Sequence, residues 1–264
     1  MNKEHYQITT SYANYYVEIF HQYPTIDKVY IGARKKCIGF SVYLNEKGKA
    51  LKEEPPEIDG FGFSQHCNIT GNHVKGTGSV HLMNTALRFI INHYKLPENI
   101  KFTFKDLSFI ECIKYHMPLR IYYTIFHGKT WYEDKFGALP VSKLSIPRLE
   151  ESRKRLKEFL ISKPDIEMFF HDKQKELKEH VLSIYAKCGS LKECLDILKE
   201  EDCKVFKGWL ELIYEHVMKS DYGGSWYITN KVGADFLTYT KIVEKPAILF
   251  SLKGGGMYFR RDQL

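Results

Sequence analysis

The chain has 264 residues, 44% of them hydrophobic and 14% aromatic, enough to bury a substantial core in one large domain or two modest ones. It holds no run of about 18 apolar residues and no hydrophobic segment behind Met1-Asn2-Lys3-Glu4-His5, so neither a membrane span nor a secretory signal is indicated and a cytoplasmic protein is expected. The net charge of +7 is spread as 18 Lys and Arg against 13 Asp and Glu over residues 1–145 and 21 against 19 over residues 146–264. A basic front half suits an anionic ligand, and it is equally the ordinary surface of a lysine-rich protein. Only Arg34-Lys35-Lys36 approaches the dense basic stripe of a nucleic-acid binder, so nucleic acid is not the expected partner.

The six cysteines, at 37, 67, 112, 188, 194 and 203, include no CxxC pair and are diluted over a long chain. That usage predicts reduced, mostly buried thiols, with neither a disulfide framework nor structural zinc. Among the 11 histidines there is no HExxH, and the nearest cluster, His66, Cys67, His73 and His81, fits no common zinc spacing, so no metal is expected.

In chain order, Asn14 to Gln22, Lys28 to Ala33 and Cys37 to Leu44 are aromatic and β-branched and read as consecutive strands. The polar stretch Asn45 to Asp59, with Lys47-Gly48 and Pro55-Pro56, reads as loop, and Phe61 to Ile69 as a further strand. Then comes Gly71 to Tyr94. Its front half, His73-Val74-Lys75-Gly76-Thr77-Gly78-Ser79, pairs two glycines with a lysine and two hydroxyls and runs into a helix whose Met83, Leu87, Ile90, Ile91 and Tyr94 share one side. Glycine lets a backbone approach an anion closely, and a helix start presents N–H groups and the positive end of its dipole. Residues 73 to 79 are therefore a candidate phosphate or pyrophosphate site, although glycine pairs before helices also make plain turns. Ile100 to Phe104 reads as a strand, Asp106 to Pro118 as helix or loop, Leu119 to Phe126 as strand or helix, and His127 to Gly137 as a short helix stopped by Gly137.

From Ser145 the texture changes. Ser145 as cap and Pro147 in the first turn open an amphipathic helix, a second runs from Asp165 to Lys187, Ser190 and Glu193 make a capping box for a third, and a fourth spans about 205 to 219. Trp226 to Thr229, Ile248 to Leu252 and Met257 to Arg260 read as short strands that either complete the first sheet or form a small one of their own.

Four antiparallel strands, a Gly-x-Gly turn before a helix, a strand, and then Trp131-Tyr132-Glu133-Asp134-Lys135-Phe136-Gly137 resemble the GNAT family of N-acetyltransferases over residues 10 to 140. GKTWYEDKFGA, residues 128 to 138, also resembles stretches of acetyltransferase-like proteins of large DNA viruses, which would place the chain in a host cytoplasm. The resemblance implies an α/β fold with a mixed, mostly antiparallel sheet flanked by helices over residues 1–144, followed by a mainly helical region with short terminal strands over 145–264. It implies acetyl-coenzyme A as cofactor, its pyrophosphate held by His73, Val74, Lys75, Gly76, Thr77, Gly78 and Ser79. Tyr132 matches the tyrosine that protonates the departing thiolate. Here His73 stands where the family has Gln or Arg, and Gly137 lies one residue farther from Tyr132 than the family spacing.

Acetyl transfer also needs a base, for which His66, on the strand before the turn, has the right intrinsic pKa. The expected function is transfer of an acetyl group to a primary amine on a small molecule or peptide. The alternative is a non-catalytic or virion-associated protein that keeps the fold, with residues 145–219 docking a protein partner.

Overall fold

The computed structural model describes residues 2–11, 13–22, 25–32, 37–61, 77–106, 109–112, 115–167, 170, 175–201, 203–218, 225–229 and 238–242. Strands β1 (Asn2–Thr9), β2 (Asn14–Gln22), β3 (Ile26–Gly32), β4 (Ile38–Tyr43) and β5 (Glu57–Phe61) come first, followed by helix α1 (Thr77–Tyr94) and strand β6 (Lys101–Lys105). A hairpin of β7 (Phe109–Cys112) and β8 (Tyr115–Pro118) leads into α2 (Leu119–His127), α3 (Trp131–Phe136) and β9 (Leu139–Pro140). Four helices follow, α4 (Ser145–Ile161), α5 (Lys175–Tyr185), α6 (Leu191–Glu201) and α7 (Cys203–Met218), before β10 (Ser225–Thr229) and β11 (Tyr239–Ile242).

The fold is mixed α/β. Nine strands form one sheet in the order β11-β1-β2-β3-β4-β5-β6-β10-β9, with β7 and β8 paired separately. Among the described strands every step of the large sheet is antiparallel except one, β5 beside β6. Strand alternation puts one residue in two on the inner face. The central inner row runs Ile19, Val29, Phe40, Ile58, Phe104 and Trp226 across six strands in direct register. All six are buried.

Helix α1 covers this face. Its Leu82, Met83, Ala86, Phe89 and Ile90 are buried, as the apolar stripe requires. Two polar contacts fix its direction. At its front the Tyr15 hydroxyl lies 2.9 Å from His81 Nδ1, and at its back the Tyr94 hydroxyl donates to Asp27 Oδ2 at 2.8 Å. Tyr15 lies at the start of β2, which runs opposite to β5, whereas Asp27 lies at the start of β3, which runs with β5. The first turn of α1 therefore lies at the carboxyl end of β5, the end from which ligand clefts of α/β sheets open.

Several expectations shift. β1 and β11 were not anticipated, and they extend the sheet beyond β2. The stretch read as loop up to Asp59 ends instead in strand, β5 starting at Glu57 directly after Pro55-Pro56; the strand expected over Phe61 to Ile69 lies, beyond Phe61, outside the described residues. Asp106 to Pro118, read as helix or loop, holds the β7–β8 hairpin, and Leu119–His127 is helix. Ser145 does not cap α4: the cap is Leu144, which has helical angles and no side-chain cap bond, so Ser145 is the first helical residue. The helix expected over 165–187 is shorter: α5 runs from Lys175 to Tyr185, while Asp165, Ile166, Phe170, Ala186 and Lys187 are not helical. β10 joins the large sheet, pairing with β6 on one side and β9 on the other, while the strands expected at 248–252 and 257–260 lie outside the described residues. The expectation of reduced thiols throughout fails at Cys37 and Cys203, which are disulfide-bonded, because a bridge is decided by approach in space and not by spacing along the chain.

Phe40 is fully buried in the central row, its ring edge-on to Phe102 at 6.1 Å. Phe40→Ala is expected to lower unfolding free energy by about 3–5 kcal/mol through lost burial and an unfilled cavity. Urea denaturation monitored by circular dichroism measures it. An unchanged midpoint would mean that this row does not carry the core.

Candidate functional site

The parallel pair is short. β5 and β6 match only at Glu57 with Thr103 and Ile58 with Phe104, after which β5 continues to Phe61 and β6 to Lys105 without further pairing. On its other side β5 carries a register shift opposite Gly39 and Phe40, which turns the strand as it leaves the pair. The described ladder between the two carboxyl ends stops there, and aromatic rings stand at this parting. The Trp131 ring stacks on Phe61 of β5 at 6.0 Å, and the Tyr132 ring packs on Phe104 of β6 at 4.6 Å.

These rings are delivered by α3, which is only six residues long and is fixed at both ends. Thr130 and Glu133 form a capping box: Thr130 Oγ1 accepts from the Glu133 N–H at 3.3 Å, and Glu133 Oε2 accepts from the Thr130 N–H at 2.7 Å. Gly137 closes the helix at φ 61°, a left-handed angle that glycine takes without strain, and its N–H donates to the Glu133 carbonyl at 2.9 Å. Arg153 of α4 also donates to Glu133 Oε2 and ties the cap to the following helices.

On the outward turn Asp134 takes Lys129 at 2.6 Å, Lys135 at 2.8 Å and the Tyr123 hydroxyl at 3.1 Å. The bonds from Lys129 and Lys135 hold the Asp134 carboxyl far below the usual carboxylate range. Beside it the His127 ring lies 4.1 Å from Tyr123, and burial pushes the His127 pKa down.

Of the residues singled out in the sequence, Tyr132 is buried, 5% exposed, within this wedge, and Thr77, Gly78 and Ser79 form the first turn of α1. Tyr132 and that turn lie toward the same end of the sheet. His66, His73, Val74, Lys75 and Gly76 lie outside the described residues. Among the described residues, no group of three or more His, Cys, Asp or Glu side chains is arranged to hold a metal ion. Likewise, no helix is long and apolar enough to cross a membrane.

Sequence reasoning missed the Arg153 to Glu133 link, which joins residues 20 apart on different helices and leaves no local signature. It also missed a polar cluster on the outer sheet face, where the Ser41 hydroxyl donates to Asp59 at 2.6 Å, Lys28 lies 3.0 Å from Asp59, and Lys28 also reaches Ser41. Compared with known proteins, the chain matches no family model, no curated protein and no solved structure.

A carboxyl whose folded pKa is depressed adds stability that is complete above its unfolded value, about 3.9 for Asp, and lost as pH falls through its folded value. Asp134 is such a group. The urea midpoint of the wild type is therefore expected to fall more steeply below about pH 4 than that of Asp134→Asn. Equal slopes would show that the Lys129 and Lys135 bonds contribute nothing in solution.

Proposed function

We propose that this chain is an acetyl-coenzyme A-dependent N-acetyltransferase that passes the acetyl group directly to a primary amine. One observation carries the reading: the only parallel step described in the sheet parts beyond two residue pairs, and Tyr132 stands at the parting, toward the end where α1 begins. In this reading the end of that ladder is where a thioester meets the sheet.

The chain order β2 to β5, α1, β6 and α3 supports the GNAT resemblance, and β9 with β10 supplies two further strands after α3, the helices of residues 145–218 lying between them. The fit at the anion end is chemical. The first N–H groups of any α-helix lack an intrahelical acceptor, and Gly78 adds no side chain there. Lys75 and Gly76 precede it in sequence.

Acetyl-coenzyme A supplies an activated acetyl thioester when bound. In this reading main-chain groups of residues 73 to 79 would hold its pyrophosphate, and Tyr132 would supply a phenolic proton toward its sulfur. His66 takes the proton of the attacking amine. The site and the acceptor both belong to the cytoplasm, the host's if the chain is viral.

Isothermal calorimetry with acetyl-coenzyme A tests binding, and thiol release with polyamines, lysine peptides and aminoglycosides tests transfer. Gly76→Trp is expected to abolish binding. Tyr132→Phe is expected to leave binding intact and lower kcat by about 10²- to 10⁴-fold. Binding of the wild type that Gly76→Trp leaves unaltered would overturn the assignment of the anion site. A wild type that does not bind at all would favour the non-catalytic alternative.

A further inference from the structure

The corner between α5 and α6 brings two reduced cysteines together. Cys188, in the turn after α5, is 2% exposed, and Cys194, in the first turn of α6, is 0% exposed. The Cys188 thiol donates to the Ile184 carbonyl at 3.3 Å and lies within hydrogen-bonding reach of the Cys194 side chain.

The backbone around the pair is fixed by bonds that do not involve sulfur. Lys163 Nζ donates to the Cys188 carbonyl at 2.5 Å, the Leu191 N–H to the Ser162 carbonyl at 2.9 Å, and the Gly189 N–H to Glu193 Oε2 at 2.7 Å. The Glu193 N–H donates to Ser190 Oγ at 3.2 Å, which caps α6. The two sulfurs are thus held in proximity whether or not they are joined.

We propose that Cys188 and Cys194 are a two-electron oxidation site that closes to a disulfide with hydrogen peroxide and pins the end of α5 to α6. The Cys188 sulfur attacks one peroxide oxygen, the oxygen–oxygen bond breaks, and a water leaves, so that Cys188 carries a sulfenic acid. The Cys194 sulfur then attacks that sulfur and expels a second water. The two thiols give up two electrons and two protons, and peroxide takes both.

Cys37 and Cys203 are each held in a disulfide, so both redox states of cysteine occur in this one chain. Burial, and then the Glu193 carboxylate, push the Cys188 thiol up, while Cys194 and Lys163 oppose them. The thiolate is the reactive form, so closure is slow and demands sustained oxidant. That is the behaviour of a site that records oxidative exposure and is not part of the folding framework. A bridge here would tether α5 to α6, which packs against α7 and carries the fully buried Leu195 and Leu198.

The test uses the full folded chain. It is treated with hydrogen peroxide, freed of peroxide, unfolded in urea with a maleimide present, digested and read by mass spectrometry. The peptides carrying Cys188 and Cys194 are expected to lose their maleimide label together and to appear as one linked species, two hydrogen masses lighter, that a reducing agent restores. Cys194→Ser is expected to stop at a Cys188 sulfenic acid trapped by dimedone, and Cys188→Ser to leave Cys194 reduced in the folded protein. Full labelling of both thiols after an exposure that bridges the urea-unfolded chain would overturn the proposal, as would separate oxidation of each to a sulfonic acid. The wild-type comparison with the unfolded chain decides the matter even if a variant fails to fold.

Discussion

One row of side chains holds the architecture together. Ile19, Val29, Phe40, Ile58, Phe104 and Trp226 stand in register across six strands, and the row passes unbroken over the one step, among the described strands, where strand direction is preserved. A parallel pair cannot be joined by a hairpin, so the chain must leave the sheet and return over its face. Helix α1 is that return. Its 18 residues span about 27 Å at 1.5 Å per residue, the length of a strand crossing and more. Because β5 and β6 share only two pairs, the hydrophobic row, more than the hydrogen-bond ladder, keeps the two halves of the sheet together. That division of labour lets the strands part above Ile58 and Phe104 without splitting the core.

The helices of residues 145–218 are not remote from the parting. The chain leaves the sheet after Pro140 and rejoins it at Ser225, beside β9 and β6. Between these points α4 sends Arg153 back to the α3 capping box, and Phe206 of α7 packs against Tyr122 and Phe126 of α2 at ring separations of 6.3 and 6.0 Å. Charge-assisted bonds to a largely covered carboxylate are among the stronger single contacts a fold has, about 1.5–3 kcal/mol. A six-residue helix with little stability of its own is therefore held in place from outside.

Legibility followed local pattern. NYYVEIFHQ announces β2, and the three-and-four spacing in α1 announces its buried stripe, because in both the residues that pack are also the residues that repeat. β1, NKEHYQIT, offers few apolar positions, of which Tyr6 and Ile8 are buried, and its pairing to β2 and β11 is decided by neighbours distant in sequence. EIDGF hid as loop because its one buried residue, Ile58, has no apolar partner until Phe40 and Phe104 flank it. At the candidate site, Tyr132 and the residues 77–79 could be named from sequence. Their approach to one end of the sheet could not, since it depends on the Tyr15 to His81 and Tyr94 to Asp27 contacts that orient α1.

In the proposed transfer, the burial of Tyr132 bears on how it can act as the acid. An ordinary phenol titrates near 10 and an ordinary thiol near 8.5, so giving a proton to a free thiolate runs uphill by about 1.5 pKa units, roughly 2 kcal/mol. Donation is therefore favourable only while the carbon–sulfur bond is still breaking and the sulfur has not yet become a stable anion, which demands a phenol already placed and shielded from competing water. Acidity cannot supply that placement, but packing can. The ring of Tyr132 lies against Phe104 and, edge-on, against Trp131 at 5.0 Å, on a helix clamped by Thr130, Glu133, Gly137 and Arg153. Tyr132 is thus a buried ring held in place by packing, on a short helix clamped at both ends.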